Sequence, residues 1–329
     1  MKKLFISMLA VAALASCSQE DVIVADKGDL IGFNSFVENS TRAAKDPSYG
    51  QGAQNLTEFQ VWGTVNGGNG LVAIYNGADV KGQVGYADNE KTQPNIWYCD
   101  VKQYWIKDAI YNFAALVNAT DDLAFANLLP TKVKGFVADG ETDLLYARSE
   151  EITGLASGNG PVNFNFAHLL SKVKFTVKNN SKAAKEYSFK VNNIVIKGKN
   201  TGDVTLATKV WDTSAATEDT NYTVAEIVVN KDTADAGEEC AKELLLIPGD
   251  FNITFNVDIY NGTTKLGSQA YPIAPAVYNQ TLKAGYAYNF VINVKVGEEI
   301  TFSVTEQPTW NEDVNGDNKV DANDNIQLQ

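Results

Sequence analysis

Histidine occurs once in these 329 residues, at position 168. An imidazole- or thiolate-based metal centre needs several His or Cys ligands, and a Ser-His-Asp triad would have to use this one residue. The expectation for His168 is therefore structural. Cysteine is nearly as scarce, with Cys17, Cys99 and Cys240 the only three. Basic residues are outnumbered, 27 Lys and Arg against 40 Asp and Glu, for a net charge of −13. That balance argues against nucleic acid or an anionic membrane surface as partner. No Gly-rich phosphate loop and no basic patch with interleaved aromatics is present. Past the first sixteen residues, no uncharged apolar run approaches the roughly 20 residues of a membrane-spanning helix. With no catalytic motif in view, the residues read as those of a chain that is not an enzyme, with no required cofactor.

What is present begins at the N-terminus. Residues 1–16 form a secretory leader: Lys2 and Lys3, an apolar run from Leu4 to Leu14, then small residues. The segment ends in Leu14-Ala15-Ser16-Cys17, the pattern read by lipoprotein signal peptidase, so Cys17 is the expected lipidation site. Several acyl chains on that residue supply the stable anchoring that one chain cannot. Behind it come the strand-like run Leu30-Ile31-Gly32-Phe33-Asn34-Ser35-Phe36 and a polar stretch holding Thr41-Arg42-Ala43. On the residues alone, Arg42 reads either as an ordinary exposed arginine or as a second processing site before Ala43. Cys99 and Cys240 remain after lipidation. One long-range bridge is open to them, but the expectation is a buried thiol at Cys99 and a half-exposed one at Cys240.

Period-two alternation, the mark of half-buried strands, recurs along the chain. Clear cases are Val162/Phe164/Phe166, Val173/Phe175/Val177, Ile253/Phe255/Val257/Ile259 and Tyr288/Phe290/Ile292/Val294. Turn clusters separate the runs, and Asn261-Gly262 predicts a hairpin. Asp121-Asp122 predicts one short helix through Leu129, ended by Pro130. The pattern is all-β and most compatible with β-sandwiches. A boundary is expected near residue 160, where Gly158-Asn159-Gly160-Pro161 precedes a new series of strands.

Several elements, in this order, resemble the fimbrillin-like pilus subunits of Bacteroidales. They are the lipobox, Ile31-Gly32-Phe33 leading to Thr41-Arg42-Ala43, and Phe59-Gln60-Val61-Trp62-Gly63. The aromatic run through Trp97, Tyr98, Tyr104, Trp105 and Tyr111 follows, then Asp143-Leu144-Leu145-Tyr146-Ala147. Phe166-Ala167-His168-Leu169-Leu170, Leu246-Ile247-Pro248-Gly249 and Tyr286-Ala287-Tyr288-Asn289-Phe290 with Trp310 complete the set. The resemblance implies two tandem transthyretin-like β-sandwich domains with little helix, at 43–160 and 161–310, after a lipidated propeptide at 17–42. Ser18-Gln19-Glu20-Asp21 likewise resembles the acidic tetrapeptides that direct Bacteroidetes lipoproteins to the outer face of the outer membrane. It also implies a surface lipoprotein whose partners are other pilus subunits. A trypsin-like, Arg-specific protease would cut between Arg42 and Ala43, removing the strand Leu30–Phe36, and a neighbour's extended segment would fill the groove by donor-strand complementation.

The segment 311–329 departs from that pattern. It lacks an alternating apolar face through Asp324, which makes it a poor donor strand and puts a main-stalk role in doubt. Its spacing instead matches an EF-hand loop: Asp313, Asn315, Asp317, Asp321 and Asp324 supply oxygens and Lys319 its carbonyl. Asn318 stands where such a loop has Gly, and Asp324 where it has Glu. A single Ca²⁺ loop and an unstructured acidic tail are both open readings. A different reading of the whole chain is an uncleaved outer-membrane lipoprotein that holds glycans or host proteins on an exposed aromatic patch.

Overall fold

A computed structural model of the chain describes residues 29–37, 58–81, 98–99, 101–155, 159–180, 186–217, 219–230, 237–273, 281–295, 300–307 and 326–327. The first strands are β1 (Phe33–Val37), β2 (Glu58–Asn66), β3 (Leu71–Lys81), β4 (Tyr98–Cys99), β5 (Ile110–Val117), β6 (Leu123–Ala126) and β7 (Leu129–Val137). Next come β8 (Leu145–Thr153), β9 (Val162–His168), β10 (Ser171–Asn179), β11 (Tyr187–Gly198), β12 (Thr201–Thr205), β13 (Val210–Asp212) and β14 (Thr220–Val224). The remainder are β15 (Ile227–Val229), β16 (Glu238–Glu239), β17 (Leu244–Leu246), β18 (Phe251–Asn261), β19 (Thr264–Ile273), β20 (Ala287–Val294), β21 (Thr301–Gln307) and β22 (Ile326–Gln327).

Among the described residues these strands form four sheets and no helix. The first runs β1-β9-β8-β5-β2-β3-β4 and the second β13-β12-β7-β6. The third runs β16-β10-β20-β21-β22 with β17 also on β10, and the fourth β14-β11-β18-β19 with β15 on β11. The all-β expectation holds, and alternation is its local cause. In β18, Phe251, Ile253, Phe255 and Val257 are buried while Asn252 and Thr254 face out. The Asn261-Gly262 hairpin forms as expected: Asn261 pairs Thr264, and Gly262 takes φ 60°, open to glycine without steric cost.

The expected helix at Asp121–Leu129 does not form. Leu123–Ala126 is instead β6, paired antiparallel with β7. Asn127 and Leu128, both at positive φ (50° and 64°), make the turn between them, and the Trp62 ring packs against Phe125 at 6.4 Å. Sheet pairing and this packing override the local capping signal.

Three apolar cores result. One lies between the third and fourth sheets around Phe175, Phe290 and Phe302, with Phe290 stacked on its neighbours at 5.4 and 5.6 Å. A second fills the concave side of the first sheet. The third, including Trp62, Leu129, Phe136, Leu169, Leu170, Val204 and Leu245, joins the two halves. β9 belongs to the first sheet, and the second series of strands starts at β10. The halves also share a sheet, since β12 pairs antiparallel with β7, and Gly135 N donates to Asp203 Oδ1 at 2.9 Å. Cys99 is buried and Cys240 half-buried, and neither is in a disulfide, as expected.

On the outer face of the fourth sheet, Asp258 accepts from Lys265 Nζ (2.8 Å), Ser268 Oγ (2.5 Å) and Asn192 Nδ2 (3.1 Å). The Lys265 and Ser268 bonds, with Asn192 behind them, hold its carboxyl below the ordinary range although burial pushes the other way. Such a group adds stability above its unfolded pKa of about 3.9, and loses it as pH falls through the lower folded value. Asp258→Asn is therefore expected to be less stable than wild type at neutral pH. In urea titrations the gap should close as pH drops below about 4. A gap that persisted under strong acid would trace the effect to shape rather than charge.

Candidate functional site: the seat of the first strand

Leu30-Ile31-Gly32-Phe33 alternates because the segment crosses a core. Ile31 is 1% exposed and Phe33 0%. β1 pairs parallel with β9, Phe33 opposite Val162 through Val37 opposite Phe166. Val162 N donates to Gly32 O at 2.8 Å. Just upstream, the other flank of the segment is also bonded: Ile31 N donates to Gln103 O (2.9 Å) and Trp105 N to Asp29 O (3.0 Å). Leu30 bridges Tyr104 antiparallel. Residues 29–37 thus link the two ends of a curled sheet, β9 on one side and the chain leading from β4 on the other. β1 precedes β2 by residues 38–57, so noncovalent pairing alone places it beside β9.

The seat is aromatic. The Phe33 ring stacks on Phe164 at 5.6 Å and 11°, and meets Phe59, Tyr75 and Phe113 edge-on at 6.2, 5.7 and 6.1 Å. Such pairs add roughly 0.5–1.5 kcal/mol beyond area burial. Gly63 keeps the rings together, because a Cβ there would lie 2.8 Å from Tyr75 Cδ2 and 2.9 Å from Phe113. Trp105 closes the far end against Tyr111 at 4.7 Å, and Ile106 N donates to the Tyr111 hydroxyl at 2.6 Å. Burial pushes the Tyr75 and Tyr111 hydroxyls upward in pKa, so both stay protonated.

His168 ends β9 at the junction of the halves. Its Nδ1 lies 2.6 Å from Asp143 Oδ2, both side chains being buried, and Asn118 Nδ2 donates to the Asp143 carbonyl at 2.8 Å. The pair ties β9 to the segment before β8, a structural role. Removing one member leaves buried polar atoms of the other unmatched. His168→Ala is expected to lower unfolding free energy by about 2–3 kcal/mol in urea titrations, with secondary structure unchanged.

Cys17, Arg42, Ala43 and the loop residues Asp313, Asn315, Asp317, Lys319, Asp321 and Asp324 lie outside the described residues. Just past that loop, Ile326 and Gln327 pair antiparallel with Glu306 and Thr305 on β21. No group of His, Cys, Asp or Glu suited to a metal ion occurs among the described residues. Of the aromatic run, Trp105 and Tyr111 face the core, and Tyr104 is partly exposed. Sequence reasoning found the strand but missed what grips it. Gly63 stands in Phe59-Gln60-Val61-Trp62-Gly63, where a glycine ending a strand-like apolar run signals close approach. Nothing local marks Gln103 or Asp143 as partners.

A model of the fimbrillin-like family matches residues 41–308. Among solved structures, the chain is similar to a fimbrial protein from Bacteroides vulgatus (14% identity, TM-score 0.54), with 84% of this chain and 98% of that one covered. It is also similar to a candidate cell adhesion protein from Bacteroides ovatus (14% identity, TM-score 0.52), with 84% and 96% covered. At that identity the likeness concerns the fold alone. No curated protein matches the chain.

Proposed function

This chain belongs to the fimbrillin-like family, and we propose that it is a cell-surface pilus or adhesion subunit that assembles by strand exchange after proteolytic maturation. The family is structural, not enzymatic. In this reading the chain is exported, acylated at Cys17 and carried to the outer membrane. An Arg-specific, trypsin-like protease cuts after Arg42, and the segment holding β1 departs. An extended segment of another subunit then takes its place.

The observation that carries the reading is the seat of residues 29–37. The segment is hydrogen-bonded on both flanks, buries Ile31 and Phe33 completely, and precedes the expected cut. Its loss would leave unpaired N–H and C=O groups along β9 and an open aromatic cleft. An incoming strand supplies both the ladder and the apolar side chains. Ca²⁺ held by the 313–324 loop belongs to the same reading as an accessory site.

The test is intact mass, native electrophoresis and negative-stain microscopy of lipid-free precursor before and after an Arg-specific protease. An early single cut after Arg42 is the expected result, and ladders or fibres after it would mark a polymerising subunit. The same cut without assembly would point to a tip or minor subunit. Resistance at Arg42 with the protein remaining monomeric would sink the maturation scheme.

A further inference from the structure

Only the last two residues of β9 pair with β8: Ala167 lies opposite Tyr146 and His168 opposite Leu145. From Val162 to Phe166, β1 is the one ladder partner of β9 among the described residues. The stretch is tied at both ends. At its start Asn159 accepts from Leu155 N (2.9 Å) and donates to Thr153 O (3.0 Å), which fixes it to the end of β8. At its finish His168 is held by Asp143. Between these ties little else grips the backbone. Pro161 has no N–H to offer, and Asn163 and Asn165 face out. The Asn163 side chain turns again to β1, accepting from Asn34 Nδ2 at 3.2 Å.

Side-chain packing is the other restraint. Phe164 and Phe166 meet Phe59 edge-on at 5.8 and 5.5 Å, but the flat stack of Phe164 is on Phe33 of β1. Without β1 this stretch is a strand with no ladder on either side, and even a two-stranded hairpin is marginal in water. The backbone freedom gained by letting it go then competes with the burial of rings that have lost part of their packing. We infer that residues 160–166 are a strap that leaves its place when β1 does, so that the gap is two strands wide and whatever refills it must order the strap as well. The inference deepens the strand-exchange reading and rests on it for the entry of an extended segment. The arrangement is protective. A rigid β9 stripped of β1 would be a standing edge, open to pairing with any exposed strand. A released strap offers no such template. It returns only against a segment whose apolar residues seat as Ile31 and Phe33 do, because the ring that stacks on Phe164 is part of what holds it. Ordering that accompanies binding lowers the affinity for every segment that fits poorly.

The test compares the full, lipid-free chain with Phe33→Asp, whose charge cannot stay in the aromatic seat and so ejects β1 without any cut, and with the milder Phe33→Leu. Chymotrypsin cuts after Phe164 or Phe166 only when the ring has left the core, and intact mass reads the site. Phe33→Asp is expected to be cut there about 10–100-fold faster than wild type, and Phe33→Leu by a smaller factor. Phe251 and Phe255 on β18 should stay resistant. Excess peptide of residues 29–37 should return the rate toward that of wild type. Uptake of fluorescent peptide by Phe33→Asp, with Phe164 and Phe166 resistant in its absence, would overturn the inference, because the gap is then one strand wide; strand exchange would stand. Resistance without uptake would overturn both. Cleavage that the peptide does not slow would overturn the joint ordering and remove the strand-exchange reading with it. Should Phe33→Asp lose β18 as well, Phe33→Leu decides: a wild-type rate at Phe164 and Phe166, in a variant whose urea midpoint has fallen, would overturn the inference.

Discussion

Deleting residues 1–42 is expected to lower the unfolding free energy of the chain by about 5 kcal/mol, a third or more of an ordinary domain's margin of about 5–15 kcal/mol. Deleting a single phenylalanine side chain from a packed core costs about 3–5 kcal/mol, and Phe33 is fully buried among four rings. Ile31 adds a second buried side chain. The bonds from Ile31 to Gln103, Asp29 to Trp105 and Gly32 to Val162 disappear with it. The ordering entropy of the segment is recovered on deletion, which keeps the net loss well below the sum of these terms. Urea titration should show a lower midpoint, and added peptide of residues 29–37 should raise it in proportion to the logarithm of its concentration. The same peptide carrying Phe33→Ala should restore far less. An unchanged midpoint on deletion would mean that the strand contributes little to the first sheet, and the proposed cleft would lose its basis.

Gly154→Ala should be nearly as damaging, at about 4 kcal/mol. An added Cβ would lie 1.9 Å from the Ile106 carbonyl oxygen, a backbone atom that cannot rotate away. Gly154 also donates to Ala109 O at 2.8 Å and accepts from Asp108 N at 2.9 Å. Relieving the clash must therefore break that pair of bonds or lift the turn at 106–109 away from β8. Either movement disturbs the Ile106 N bond to the Tyr111 hydroxyl and the seat of Trp105, which is 4% exposed. The expected result is a lowered melting temperature together with a red-shifted tryptophan emission. Gly67→Ala is the control, since nothing lies within 4 Å of its added Cβ, and it should unfold like wild type. Equal melting temperatures for Gly154→Ala and wild type would show that the turn at 106–109 yields freely.

The strand that forms the candidate site was legible in outline. Leu30-Ile31-Gly32-Phe33 reads as a strand from its apolar character alone, and the resemblance to fimbrillin-like subunits made it a candidate for removal. Its role as the link between two ends of a sheet was not legible. The partners of Phe33 come from positions 59, 75, 113 and 164, and those of the Asp29–Ile31 backbone from 103–105. The helix expected after Asp121-Asp122 shows the opposite failure. There the capping residues were a real local signal, and pairing with β7 outweighed it.

Sequence by itself determined that the chain is all-β, because the period of two is written into each strand as the alternation of buried and solvated side chains. Through the order of its loose motifs it also pointed to the family, which the match over residues 41–308 bears out. Tertiary structure alone decided which strand lies beside which: β9 in the first sheet, β12 against β7 across the two halves, β1 parallel to β9. Alternation tells a strand which face is apolar, but it says nothing about the identity or direction of its neighbour. Those are set by the packing of side chains far apart in sequence, as when Phe33 stacks on Phe164, and no local pattern can encode them.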